Sequence, residues 1–529
     1  MVRKLLIGGV LALLVLGAAG GVWYWQAGKP VEKRGSADEE FDRTDTPGAQ
    51  RPQRMRIAVP WPTYGYDLQR TKVSPYDHRP PYRRLWSVDA QDTLEFPPTA
   101  GYGNVYVAQQ KGLFYALNGK TGKPVFKVKD FKRCAASSPT IANGTIYQAY
   151  MDFVECGEND PNPTGFLIAM DARTGKEKWR FKGMPIESSP LLKDGILYFG
   201  SWDNRIHAIR AKNGKEIWSY DTGERVNTSP AFSKGLIFAA NQAGSVYALN
   251  AKTGKLAWQA ASGSSALGAR EFFYASPTVA YGRVFIGNSD GTMFAFGAKT
   301  GKTLWARPLG TYIYSAAAVW DQKVYVGTYD GKFFALDAAT GDTKWEKELV
   351  SAVHSPPTVM AGLVYVAACS SCGSEASRFV KMGDKDLTVA FNARTGKQVW
   401  SFPNGKYAGP IIADQDRVYL TGRSILYGLQ PRKVRKPLDA RASAAVIQGA
   451  KAGRAGRAKA GRAGGAKAGR PRRAKAGGAS RERAGGARRE RGARAGRARA
   501  GTAKRAKAGR SKRAKKARRV RRARQRSRG

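Results

Sequence analysis

The sequence predicts an all-β chain: an eight-bladed β-propeller with four-stranded blades, preceded by an N-terminal transmembrane helix and followed by a disordered basic C-terminal tail. Three observations carry this reading. A polar turn ending on a large aromatic residue returns seven times, as in DARTGKEKW at residues 171–179 and NAKTGKLAW at 250–258. Its glycine falls at Gly122, Gly175, Gly214, Gly254, Gly301, Gly341 and Gly396, in steps of 53, 39, 40, 47, 40 and 55 residues. A unit of about 40 residues, rich in Val, Tyr, Phe and Gly and without helical periodicity, is the size of one propeller blade.

Residues 1–26, MVRKLLIGGVLALLVLGAAGGVWYWQ, place Arg3 and Lys4 before an apolar run that ends in Trp23, Tyr24 and Trp25. The run is long enough to cross a bilayer, and the aromatic cluster suits the far interface. The basic flank predicts a single-pass anchor in the cell membrane, with the N-terminus inside and everything after it extracytoplasmic. A cleaved signal peptide is the rival reading, with Gly17-Ala18-Ala19 as a cleavage site. Residues 27–57 are polar and read as a linker.

Residues 58–430 hold the repeats. In residues 189–218, SPLL opens a first strand, KDG is a turn, ILYFGS a second strand, WDN a turn and RIHAI a third strand. RAKNGK is the recurring turn and EIW enters the fourth strand. Its glycine supplies the positive φ that a short hairpin turn needs. The aromatic residue then fills the wedge between stacked blades: Trp179, Trp218, Trp258, Trp305, Trp345 and Trp400, with Phe126 in the first unit. The pairs Ser138-Pro139, Ser189-Pro190, Ser229-Pro230, Ser276-Pro277 and Ser355-Pro356 open the inner strand, where an edge tolerates proline.

The last strand set, residues 409–429, has no aromatic fourth strand after it. The missing strand stands at the other end, in YRRLWSVDA at 82–90, with Trp86 40 residues before Phe126. Joining the two ends completes an eighth blade and removes the open sheet edges.

These repeats, with the lead-in WPTYGYDLQRT at 61–71, resemble the pyrroloquinoline-quinone-type (PQQ-like) repeat propellers of the quinoprotein fold. The resemblance covers about residues 58–430. Its non-catalytic scaffold members, such as the lipoprotein propeller of the outer-membrane assembly machine, are the nearer ones. In the family's dehydrogenases a quinone lies on the axis between a Trp and a disulfide of adjacent cysteines, beside a calcium ion. This chain has no adjacent cysteines and no carboxylate constellation that maps onto the calcium ligands. No catalytic or metal-binding residue is therefore assigned, and PQQ and calcium belong only to an alternative reading.

The four cysteines suit an oxidising compartment. Cys134 and Cys156 flank a hairpin turning at Asn143-Gly144, which predicts a Cys134–Cys156 disulfide. Cys369 and Cys372 form a C-x-x-C in a loop insertion, read as a staple rather than a redox pair, because redox chemistry favours a helix start. His78, His207 and His354 show no ligand spacing; His354 lies near a channel mouth. Residues 431–529 carry 38 Lys+Arg against 3 Asp+Glu, a net +35 of the chain's +50. With almost no apolar bulk beyond Ala, this tail cannot bury a core. Outside the cell its partners are anionic envelope polymers or lipids, and nucleic acid is not among them.

The expected function is a membrane-anchored, extracytoplasmic scaffold that binds envelope proteins or peptides. A quinone-dependent oxidoreductase and a polyanion-binding surface protein acting through its tail are the alternatives. The three long insertions, at about 152–165, 262–274 and 370–386, mark one face of the ring as the binding face.

Overall fold

The computed structural model describes residues 32–47, 58–151, 163–263, 272–370, 385–403, 409 and 411–432. The expected anchor and tail, Cys156, Cys372 and most of each insertion lie outside the described residues. Those described contain no helix, and hence none long and apolar enough to cross a membrane. They form eight antiparallel sheets of four strands each.

Blade three shows the unit. Leu191–Lys193, Ile196–Gly200, Arg205–Arg210 and Glu216–Asp221 pair in sequence order. Strand alternation sends apolar residues to both sheet faces, because each blade is covered on two sides. Leu191, Tyr198, Ile206 and Ala208 thus join Ile237, Tyr247 and Leu249 of blade four in one core cluster.

The recurring turn and its tryptophan interlock neighbouring blades. Trp179 donates its indole N–H to the Ala211 carbonyl at 3.0 Å, and Trp218 does the same to Ala251. Each ring lies against the turn glycine of the following blade. At Gly214 (φ 70°), a Cβ would stand 2.6 Å from the Trp179 ring. Glycine is required there twice, for the left-handed backbone and for the close approach. Burial is uneven: Trp305 is 0% exposed, Trp258 8% and Trp86 9%, while Trp179, Trp218, Trp345 and Trp400 are half-buried.

The ring closes as the missing strand requires. Tyr82–Asp89 pairs antiparallel with Ile425–Pro431 and becomes the outer strand of blade eight. Trp86 donates to the Gly119 carbonyl of blade one at 3.0 Å and covers Gly122.

Two features depart from the sequence reading. The Ser-Pro pairs stand before the inner strands, which begin at Thr140, Leu191, Ala231, Thr278 and Thr358. Their serines have a task of their own. The backbone N–H of Ser138 donates to Ser189 Oγ, that of Ser189 to Ser229 Oγ, and that of Ser229 to Ser276 Oγ, each at 2.9 Å. The pairs therefore clip four successive blades together around the axis.

The second departure is in residues 32–47, inside the stretch read as a linker. Lys33 pairs antiparallel with Ala306 on the outer strand of blade five, and Gly35 N–H donates to Thr340 O. The fully buried Arg283 guanidinium donates to the carbonyls of Ser36, Glu39, Glu40, Ala338 and Ala339, with Phe41 beside it. A polar segment docks here because blade five offers a buried cation that needs carbonyl partners.

Candidate functional site

The lead-in threads the ring. Pro62 O accepts from Ile141 N–H of blade two, Leu68 O from Phe232 of blade four, and Gln69 O from Val279 of blade five. Thr71 O accepts from Val319 of blade six, and Lys72 O from Val359 of blade seven. The inner edges that would otherwise be open are thereby paired. Two buried cations complete the plug. Arg70 donates to Pro230 O at 2.9 Å and Ser189 O at 3.2 Å; Lys72 donates to Thr278 Oγ1 and Ala317 O, both at 3.0 Å. Burial pulls the Lys72 ammonium down to about 7 and Arg70 down to about 10.

Above the plug lies an axial cavity of about 50 Å³, with Tyr64 of the lead-in in its wall. Glu95, Glu187, Asn227, Tyr274, Tyr314 and His354 line it. Each comes from a connection between one blade and the next, three residues before the residue that precedes the inner strand. The cavity thus opens on the face where strand four passes to the next blade, the same face as the strand-two-to-three insertions.

Its walls are chemically unequal. Burial raises the Glu95 carboxyl to about 7. Glu187 accepts from Asn227 Nδ2 and, at 3.3 Å, from the Trp202 indole. Across the cavity, Tyr314 stacks on Tyr312 at 4.6 Å and on His354 at 5.3 Å, and meets Tyr274 at 4.4 Å. Tyr329 Oη stands 2.5 Å from His354 Nδ1, and burial pushes His354 down to about 4, so it is neutral at pH 7. Asn227 Oδ1 and Ser355 Oγ, in residues that line the cavity, are buried with no hydrogen-bond partner among the described residues.

The other predicted residues lie elsewhere. His207 sits in blade three between Asp203 at 2.9 Å and Glu216 at 2.7 Å. His78 meets the Asp414 carbonyl at 2.7 Å. Cys134 and Cys369 are each disulfide-bonded, on the cavity face; their expected partners, Cys156 and Cys372, lie outside the described residues. Sequence reasoning missed Glu95, Glu187, Asn227, Tyr274 and Tyr314. Their shared register, three residues ahead of Pro98, Pro190, Pro230, Pro277 and Ala317, was the available signal.

The fold and its axial site define a PQQ-type repeat propeller. The sequence model of a family described as outer membrane protein assembly factor BamB matches residues 79–229, 203–311 and 310–475, so the chain belongs to that family. The chain is 31% identical over 135 residues to the quinoprotein alcohol dehydrogenase PedE of Pseudomonas putida, covering 25% of this chain and 20% of that one. It is 25% identical over 146 residues to BamB of Nitrosomonas eutropha, covering 27% and 32%. These matches span a third or less of the relatives' own length. Among solved structures, BamB of Moraxella catarrhalis superposes with TM-score 0.52 at 16% identity, over 68% of this chain and all of that one. The quinohemoprotein alcohol dehydrogenase of Comamonas testosteroni gives 0.57 at 16%, over 73% and 82%. At such identities the likeness concerns the fold.

Ligand pockets run to about 300–1,000 Å³, far above the cavity's volume. No two cysteines are adjacent in the chain. Among the described residues no group of three or more His, Cys, Asp and Glu is placed to hold a metal ion.

Proposed function

We propose that the chain is a membrane-anchored, extracytoplasmic binding scaffold of the cell envelope, and that its partner docks on the cavity face. The observation that carries this reading is the plugged axis. Arg70, Lys72 and Tyr64 fill the space where a large ligand would lie, leaving a small polar cavity open to one face. Disulfide-bonded Cys134 and Cys369 support an oxidising compartment. The relatives named for outer membrane protein assembly support protein partners. Residues 1–26 supply the anchor, and the tail adds attraction to anionic polymers or lipids. Glu95 and Glu187 opposite stacked tyrosines suit a basic side chain of the partner, held by charge and by the ring faces.

The test is in-cell crosslinking from Lys132, on the cavity face, with the insertions at 152–165, 262–274 and 370–386 shortened to the length in blade three. Crosslinks to envelope proteins are expected to vanish while the shortened chain still folds, at a lower melting temperature because Cys156 and Cys372 go with the insertions. Unchanged crosslinks from a folded shortened chain would rule out this face. A second reading, a quinone-dependent oxidoreductase, draws on the matches to alcohol dehydrogenases. A bound-quinone absorption spectrum after adding quinone and calcium, with dye-linked alcohol oxidation, would establish it instead.

A further inference from the structure

The recurring turn has a charge pattern that its structural role does not need. Two residues before the glycine stands Lys or Arg, and directly after it Lys, in blades one to five and seven. In blade six the turn reads DAATGD and carries neither. That turn receives the docked segment, through Gly35 on Thr340 O and Arg283 on the Ala338 and Ala339 carbonyls.

All these turns share one face. In each of blades two to five, the alanine of the turn donates its N–H to the glycine of the turn between strands one and two: Ala172 to Gly144, Ala211 to Gly195, Ala251 to Gly235 and Ala298 to Gly282. This face is opposite the cavity. In blades one to four the turn cations run around the face as an arc, from Lys120 and Lys123 to Lys252 and Lys255, with Asp171 and Asp194 the acids of these turns. All eight are exposed, and among the described residues none is ion-paired. In contrast, Lys302 of blade five is held by Glu39 at 2.8 Å and Arg394 of blade seven by Asp321 at 2.9 Å. The basic tail has the same sign, so it cannot neutralise the arc.

We propose that this arc is a docking surface for anionic phospholipid headgroups of the membrane that holds the chain, which leaves the cavity face turned away from the bilayer. The inference rests on residues 1–26 being an anchor. Glu32 pairs with Arg307 on the outer strand of blade five. Five residues separate it from the end of the anchor, a reach of at most about 18 Å. Charge selects which face turns to the bilayer. Lysines near an anionic surface are attracted within roughly a Debye length of about 8 Å. The cavity face mixes signs instead: Asp92, Glu95, Glu187, Asp203, Asp290 and Asp330 stand among Lys111, Lys132, Arg205 and Arg225.

The test reconstitutes the full chain in vesicles of neutral lipid, with or without an anionic phospholipid, and acetylates lysines with a membrane-impermeant reagent. Peptide mass spectrometry then compares Lys212 and Lys252 on the arc with Lys132 on the cavity face. Labelling of Lys212 and Lys252 is expected to slow several-fold in anionic vesicles, to recover at about 0.5 M salt, and to leave Lys132 unchanged. Equal labelling of both faces, or protection as strong in neutral vesicles, overturns the proposal. Protection by a soluble polyanion and not by vesicles overturns it too. Flotation at high salt reads the anchor separately. A chain that washes off the vesicles, yet shows the protection at low salt, removes the anchor and keeps the surface.

Discussion

The two faces of this ring are made by the same four-stranded unit and obey different rules. On one face, the turn between strands three and four repeats almost letter for letter, because a tryptophan of the preceding blade lies on its glycine. Any side chain at Gly214 or Gly254 would collide with Trp179 or Trp218. On the other face, six of the blade-to-blade connections put one residue toward the axis, and nothing packs against it with that stringency. Glu95, Glu187, Asn227, Tyr274, Tyr314 and His354 occupy equivalent positions with four different chemistries: two carboxyls, an amide, two phenols and an imidazole. Packing enforces repetition where blades touch, and the axis is where the blades are free to differ.

The comparison can be broken at its foundation. Deleting residues 82–90 removes the outer strand of blade eight and its Trp86 contact with blade one. The deleted chain is expected to lose its cooperative thermal transition altogether. If it melts like the parent, the ring does not depend on closure.

Next in size is the interlock. Trp305→Ala removes a side chain that is 0% exposed, and a loss of about 3–5 kcal/mol is expected in chemical denaturation. Trp400→Ala is expected to cost less. Trp400 is half-buried and packs on Tyr82, Tyr365 and Phe402 instead of on a turn glycine. Equal losses would show that the glycine contact adds nothing to burial.

On the cavity face the expected effect depends on pH. Burial raises the Glu95 carboxyl from 4.5 to about 7. The folded state therefore holds a proton that the unfolded chain releases above about 4.5. The resulting stability is complete below that pH and lost as pH rises through about 7. Glu95→Gln is expected to match the parent near pH 4 and to exceed it near pH 8 by up to about 3 kcal/mol. Melting temperatures across that range decide the matter; a constant offset would place Glu95 in a solvated setting.

Ser229→Ala breaks one clip of the serine ring, with an expected cost of about 1 kcal/mol. At the smallest end, Lys212→Gln with Lys255→Gln is expected to change stability by less than about 0.5 kcal/mol, since both side chains are exposed and have no ion pair among the described residues. A larger loss would mean that these cations serve the fold rather than a partner.

By itself the sequence determined the blade count, the turn chemistry, the wedge tryptophans and the closure through Trp86. Each rests on local periodicity or on a residue type that a short turn demands, and seven copies make such signals additive. Only the tertiary structure decided the plugged axis, the docking of residues 32–47 and the composition of the cavity. Arg70 and Lys72 read as ordinary polar residues in a lead-in, because nothing local reveals that oxygens of four different blades will converge on them. Arg283 becomes a buried anchor point only when two blades and an N-terminal segment surround it. The six cavity residues are far apart in the chain, and they become neighbours because the ring brings one register of six blades toward a common axis.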